Sequence, residues 1–238
     1  FLDPNTFSED GTVSMSGVSF SEDGSLVAYQ LSEGGSDWRS IVIRDVATGD
    51  VLEPPLIDVK FSGINWLGNE GFFYSSYDKP DGSELSAKTD QHKLYFHALS
   101  TPQSSDNVVF GATTEQKHRY VGASVGGDDR YLVISAANST SGNKLFIKDL
   151  ASDSEELIVV FADESADGSL LESNDGYLLI ETNRNAPKGR VIALDPQAAG
   201  ETEWRDVIPE SEYVLNASSS AGYLFAEYMV DAISQVEQ

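Results

Sequence analysis

The most regular feature of the sequence is a series of short apolar strings, each preceded by a turn rich in Gly, Asp or Asn. Examples are Leu26-Val27-Ala28 and Leu178-Leu179-Ile180, in which apolar residues follow one another without polar alternation. Such strings are typical of strands that are buried on both faces. The segments between them lack the 3.6-residue period of an amphipathic helix, so the pattern predicts an all-β fold.

A unit of turn, bulky strand, polar gap and second strand recurs five times. Its turn positions are separated by 47, 59, 46 and 46 residues and are marked by Gly24, Gly71, Arg130, Gly176 and Gly222. A polar loop at residues 78–90 explains the longer interval. A period of about 46 residues with four short strands is typical of β-propeller blades, whereas a β-sandwich shows no such repeat. The predicted blades are residues 1–52, 53–108, 109–160, 161–207 and, incomplete, 208–238.

The composition narrows the choice of partners. The 238 residues include 39 acidic and 15 basic ones, which gives a net charge of −24. This charge repels phosphate backbones and anionic headgroups, so neither a nucleic acid nor a membrane is predicted as a partner. The acidic residues are interpreted as a solvated surface. The absence of cysteine excludes disulfides, thiolate metal sites and cysteine nucleophiles.

The first residues and the hydropathy of the chain indicate whether it carries an export signal or a membrane span. No window approaches 18 uninterrupted apolar residues, and the opening Phe1-Leu2-Asp3-Pro4-Asn5 has neither an initiator Met nor an export signal. We therefore expect a piece of a longer, bacterial protein. The compartment, cytoplasmic or periplasmic, is left open by the sequence.

One short motif matches the sequence pattern around the catalytic serine of many hydrolases. Gly122-Ala123-Ser124-Val125-Gly126 fits the G-x-S-x-G pattern of a nucleophile elbow, which requires a strand-to-helix turn followed along the chain by Asp and then His. Ser124 instead precedes a hairpin corner at residues 127–129 and a predicted strand. All three histidines, His92, His97 and His118, lie upstream of it. Ser124 is interpreted as a small residue of an inner strand, and no catalytic residue is predicted.

Metal sites are not predicted either. His92 and His97 flank a predicted strand and are expected on opposite faces. Residues 163–174 begin like a calcium loop, but the twelfth position is Asn174 where a bidentate Glu is required. No cofactor is therefore expected. The glycosylation sequons at Asn138 and Asn216 are interpreted as chance matches.

Segments spread along much of the chain together suggest a family. In chain order they are Phe1-Leu2-Asp3-Pro4-Asn5, residues 8–13, residues 20–24, Gly35-Ser36-Asp37-Trp38, residues 59–66, residues 92–97 and residues 182–187. On these residues the chain resembles the prolyl oligopeptidase family along essentially its whole length. The resemblance implies a seven-bladed propeller, of which about five blades are present here. It further implies an α/β-hydrolase domain in the same polypeptide, outside this chain, that carries the catalytic Ser, Asp and His.

The same resemblance implies a function. The chain would be part of a prolyl-specific serine endopeptidase whose propeller gates the access of short proline-containing peptides, and it would be inactive alone. Phe61, in Lys60-Phe61-Ser62, matches an aromatic that contacts the residues preceding the substrate proline. The alternative for Phe61 is packing between blades. Tyr120 and Thr140 match residues of the same wall. The chain has Ala136-Ala137 where relatives carry an arginine, so one substrate backbone contact is expected to be absent.

A different class of function stays open at this point: an independent propeller that binds a protein or peptide without catalysis. A nucleophile-elbow serine followed by Asp and His downstream in the gene would favour the peptidase. Because five blades of seven leave two blade faces uncovered, self-association that strengthens with salt is also expected.

Overall fold

The computed structural model describes residues 2–79, 89–126 and 129–238. The predicted polar loop therefore lies largely outside the described residues, as do Gly127 and Asp128 of the predicted hairpin corner. The chain divides into two compact units, Phe1–Ala123 and Ser124–Gln238. Within the described ranges, helical structure consists of short 3₁₀ turns at Pro4–Thr6, Gln103–Ser105, Pro196–Ala198 and Glu201–Glu203.

The first unit is built from antiparallel sheets in which strands adjacent in sequence are also adjacent in space. The first sheet contains β1 (Val13–Phe20), β2 (Leu26–Glu33), β3 (Trp38–Asp45) and β4 (Leu56–Lys60). The second contains β5 (Asn65–Leu67), β6 (Gly71–Ser76), β7 (Lys93–Ala98) and β8 (Asn107–Phe110). This simple up-and-down order is that of a propeller blade, as the repeat predicted.

Three further sheets follow. The third contains β9 (Tyr120–Val125), within which the boundary between the units falls, β10 (Tyr131–Ala137), β11 (Lys144–Asp149) and β12 (Ile158–Phe161). The fourth contains β13 (Gly168–Asn174), β14 (Tyr177–Thr182), β15 (Arg190–Leu194) and β16 (Arg205–Ile208). The fifth has three strands, β17 (Leu215–Ser220), β18 (Tyr223–Val230) and β19 (Ile233–Glu237). The prediction of an all-β chain of blade-type sheets is confirmed.

The outermost strand of the first sheet lies beyond the blade boundary expected near residue 52. β4 begins at Leu56 and pairs antiparallel with β3, with Trp38 opposite Lys60. An isolated bridge between Arg44 and Val51 and the pair Pro54-Pro55 separate the two strands. Prolines lack an N–H donor and interrupt strand pairing, so regular pairing with β3 resumes only at Leu56.

The apolar strings form the cores of both units. In the first unit, Ala28, Ile41 and Ile43 of the first sheet pack with Trp66 and Phe72 of the second. In the second unit, one cluster joins the third and fourth sheets and another joins the fourth and fifth. Across the described ranges, no helix is long and apolar enough to cross a membrane.

Candidate functional site

Phe61 and Tyr120, two of the predicted site residues, lie side by side on the surface of the first unit. Their ring centroids are 6.2 Å apart with the ring planes at 55°. The residues are 44% and 39% exposed, respectively. This exposure favours contact of Phe61 with a ligand over the alternative of packing between blades. Two aromatic residues 59 positions apart in sequence form an exposed apolar contact, which we call the aromatic pair.

The buried ring of Tyr77 packs against the aromatic pair. Its ring meets that of Phe61 edge-on, with centroids 6.3 Å apart and planes at 86°. Tyr77 is only 4% exposed, and its hydroxyl donates a hydrogen bond to the carbonyl of Arg119, the residue before Tyr120. Burial, with a contribution from Tyr120, raises the pKa of Tyr77 to about 12. The hydroxyl therefore stays protonated at neutral pH and can act as this donor.

Lys60 places a positive charge beside the aromatic pair. Its ammonium lies 5.1 Å from the centroid of the Phe61 ring and 5.2 Å from that of Trp38, which is within cation–π range. The same ammonium is 3.6 Å from the carboxylate of Asp37. Since the residue is only 8% exposed, these three neighbours hold the charge in place.

The backbone of Phe61 adopts an unusual conformation. Its φ of +53° lies in the left-handed region, which costs a residue with a Cβ about 1–2 kcal/mol. Two hydrogen bonds fix the next residue, Ser62. Its hydroxyl accepts from the Ser75 N–H at 2.7 Å, and its carbonyl accepts from Gln30 Nε2 at 2.8 Å. Such strain persists only where the surroundings determine the conformation, and it is frequent at functional sites.

His92 lies behind the aromatic pair and is completely buried. The Val121 N–H donates to its Nδ1 at 2.9 Å, and its Nε2 is 2.9 Å from the Lys60 carbonyl. Because Nδ1 is the acceptor, the proton lies on Nε2, which donates to that carbonyl. The imidazole stacks on Tyr77 with centroids 4.3 Å apart. Burial lowers the pKa of His92 to about 4, so the ring is neutral near pH 7.

Sequence reasoning missed the role of His92 at this site. The five-residue spacing between His92 and His97 was used only to judge whether the two side chains could bind the same metal ion. The contacts of His92 are to backbone groups of residues 29 and 32 positions away, and backbone groups leave no side-chain signature.

Thr140, the third predicted site residue, belongs to the second unit. It lies exposed in the segment between β10 and β11. Nearby, Asn138 bonds through its N–H and its side-chain amide to the Glu164 carboxylate, at 2.9 and 2.8 Å. The Gly142 N–H donates to Asp167 at 2.7 Å. These bonds fix the segment that carries Thr140, whose contact with a substrate stays a prediction.

The structure also shows the surroundings of Ser124 and Asp163, the two candidates considered for catalysis and calcium binding. Ser124 lies in β9, and β10 follows it, so its predicted place in a strand is confirmed. The former calcium candidate Asp163 accepts from the Arg184 guanidinium at 3.2 Å and from Ser165, and these contacts lower the pKa of its carboxyl. Among the residues that the structure describes, no cluster of three His, Asp or Glu side chains suits a metal ion.

Comparisons with known proteins agree with these observations. The family model described as "Prolyl oligopeptidase, N-terminal beta-propeller domain" matches residues 1–238. The chain is 48% identical to the prolyl endopeptidase of Elizabethkingia miricola and 49% identical to that of Elizabethkingia meningoseptica. Each match covers 100% of this chain and 34% of the relative, so the chain spans about a third of the length of these relatives.

Solved structures resemble the chain equally well. One, from a study of two prolyl endopeptidases and their inter-domain dynamics, has a TM-score of 0.84 at 32% identity and covers 99% of this chain and 33% of its own. Prolyl oligopeptidase B from Galerina marginata, bound to a 25-residue macrocyclization substrate, has a TM-score of 0.85 at 26% identity. That match covers 98% of this chain and 35% of the other.

Proposed function

The chain belongs to the prolyl oligopeptidase family, as part of its N-terminal β-propeller domain, and from this premise we propose that it serves a prolyl-specific serine endopeptidase. In this proposal the chain controls the access of short proline-containing peptides to an active site on an α/β-hydrolase domain of the same polypeptide. Phe61 and Tyr120 contact the residues that precede the substrate proline, and a substrate contact of Thr140 stays a prediction. The chain alone does not hydrolyse peptides.

The exposed aromatic pair is the observation that supports this role. Aromatic rings supply large apolar contact area with little loss of conformational freedom, which suits the binding of short and varied peptides. The hydrogen bonds of Ser62 and the contact with the buried ring of Tyr77 hold Phe61 in its strained backbone conformation. A ring whose only role was to fill space would need neither.

The test uses the full-length polypeptide encoded by the gene. Phe61→Ala should lower kcat/KM by about 5- to 150-fold for peptides with apolar residues before Gly-Pro, because an aromatic contact contributes about 1–3 kcal/mol to binding. Phe20→Ala is a matched control, since Phe20 is also exposed, at 51%, and lies in the same unit. Equal effects of the two substitutions would contradict the proposed role of Phe61.

Absence of hydrolysis by the full-length protein would contradict the peptidase function and favour a binding module. The isolated chain supplies the complementary measurement. It should show no turnover of a Gly-Pro substrate, and turnover that Ser124→Ala abolishes would show that Ser124 is a nucleophile after all.

A further inference from the structure

We propose that His92 is a positioning residue that sets the spacing of Phe61 and Tyr120 and thereby the preference for the residues ahead of the substrate proline. The inference deepens the proposed function and rests on it. It concerns a side chain that is itself fully buried and does not touch the peptide.

The two hydrogen bonds of His92 end next to the two exposed rings. Nε2 donates to the carbonyl of Lys60, whose next residue is Phe61. Nδ1 accepts from the N–H of Val121, whose preceding residue is Tyr120. Both distances are 2.9 Å, which is ordinary for strong N–H bonds. A rigid imidazole ring therefore links the backbone beside one ring to the backbone beside the other.

Tyr77 provides a second link between the same segments. It stacks on His92 at 4.3 Å, meets Phe61 edge-on and donates to the carbonyl of Arg119. Together, His92 and Tyr77 bond to backbone groups on both sides of Tyr120. Movement of Tyr120 away from Phe61 would break both links.

The chemistry of neutral imidazole suits this task. It offers an acceptor and a donor on different edges of one rigid ring, so both backbone groups can be satisfied at once. The amide of Gln or Asn carries donor and acceptor on a single carbon and cannot reach both partners in the same way. Phe fills the space but leaves a buried N–H and a buried carbonyl without their partner.

The test compares two substrates in the full-length protein, Gly-Pro and Phe-Gly-Pro linked to the same fluorogenic leaving group. His92→Phe should raise KM for the longer peptide about tenfold, change kcat little, and change KM for Gly-Pro less than about twofold, because only the rings ahead of the proline are displaced. His92→Gln, which can still donate to the Lys60 carbonyl, should lie between wild type and His92→Phe. It also provides the test if His92→Phe does not fold.

His97→Asn is the matched control. His97 is equally buried, at 1% exposed, lies five positions away and contacts Glu53 and Asp106 instead of the aromatic pair. It should destabilise the protein without changing the ratio of KM values for the two peptides. The same change in that ratio for His97→Asn, or an unchanged ratio for folded His92 variants, would overturn the inference.

A structural measurement separates this inference from the proposed function. In NMR spectra of the chain, nuclear Overhauser contacts between the Phe61 and Tyr120 rings should be present in wild type and weaken in His92→Gln. If wild-type full-length protein fails to hydrolyse either peptide, the peptidase proposal fails, while this measurement still decides the positioning. Unchanged ring contacts in His92→Gln would overturn the role of His92.

Discussion

His92 directly precedes β7 and His97 lies within it, five residues further along, and their surroundings shift their pKa values in opposite directions. Both are buried, at 0% and 1% exposed. His92 meets two backbone groups, and burial lowers its pKa to about 4. Burial acts on His97 in the same direction, but hydrogen bonds and charges from Asp106 and Glu53 outweigh it and raise its pKa overall.

The comparison shows that the partners, rather than burial, decide what a buried histidine does. His97 lies between two carboxylates that favour its protonated form, with Nε2 2.6 Å from Glu53 and Nδ1 2.9 Å from Asp106. Those carboxylates are in turn bonded by the Ser100 N–H and the Tyr74 hydroxyl. This closed network stabilises the second sheet. His92 is neutral, and its two bonds join segments next to exposed rings.

The largest expected effect comes from removing the cation. His97→Asn leaves Glu53 and Asp106 as buried carboxylates without their charge partner, which should reduce the free energy of unfolding by about 3–5 kcal/mol. His92→Asn breaks neutral bonds and should reduce it by about 1–3 kcal/mol. Urea denaturation of both variants measures the difference. Equal losses would show that the two sites are electrostatically alike.

The pH dependence should differ in sign. The folded pKa of His97 is raised above its unfolded value near 6.5, so its stabilisation is complete below about pH 6.5 and is lost as the pH rises through the folded pKa. The folded pKa of His92, about 4, is lowered, so its contribution is complete above about pH 6.5 and declines as the pH falls toward 4.

Urea denaturation across pH 4–9 resolves the two contributions. The stability gap between wild type and His97→Asn should narrow at high pH. The gap for His92→Asn should narrow as the pH falls below about 6.5. Subtracting each variant from wild type removes the contribution of the many carboxylates. Two gaps that narrow in the same direction would contradict the comparison.

A smaller effect is expected from Tyr77→Phe, which keeps the stacking on His92 and removes the hydrogen bond to Arg119. The free energy of unfolding should fall by about 1 kcal/mol. Tyr29→Phe is a suitable control because the Tyr29 hydroxyl accepts from Arg44 at 2.9 Å, away from the aromatic pair. Only Tyr77→Phe should weaken the NMR contacts between Phe61 and Tyr120.

The smallest effect on stability is expected for Phe61→Ala, below about 1 kcal/mol, because the ring is 44% exposed and the backbone is strained. Phe72→Ala, which removes a ring at 0% exposure, should reduce the free energy of unfolding by about 3–5 kcal/mol. Thermal denaturation compares the two. A large loss for Phe61→Ala would mean that this ring belongs to the core.

Much of the fold could be predicted because turn residues and buried apolar strings recur at a fixed period. The turn repeat carries no signal for β4, which begins at Leu56 after Pro54-Pro55 and pairs with β3. Phe61 and Tyr120 were found through resemblance to a family rather than through spacing. His92 could not be assigned its role, since its partners are backbone groups of the first and third sheets that become its neighbours only in the folded chain.

The left-handed backbone at Phe61 has a consequence for protein engineering. Glycine adopts a φ of +53° without the strain that a Cβ introduces, so a heat-resistance screen that monitors folding alone would tolerate glycine at position 61. Such a screen would select robust proteins that have lost half of the aromatic pair. Directed evolution of this chain should therefore score the proposed peptide recognition alongside thermal survival.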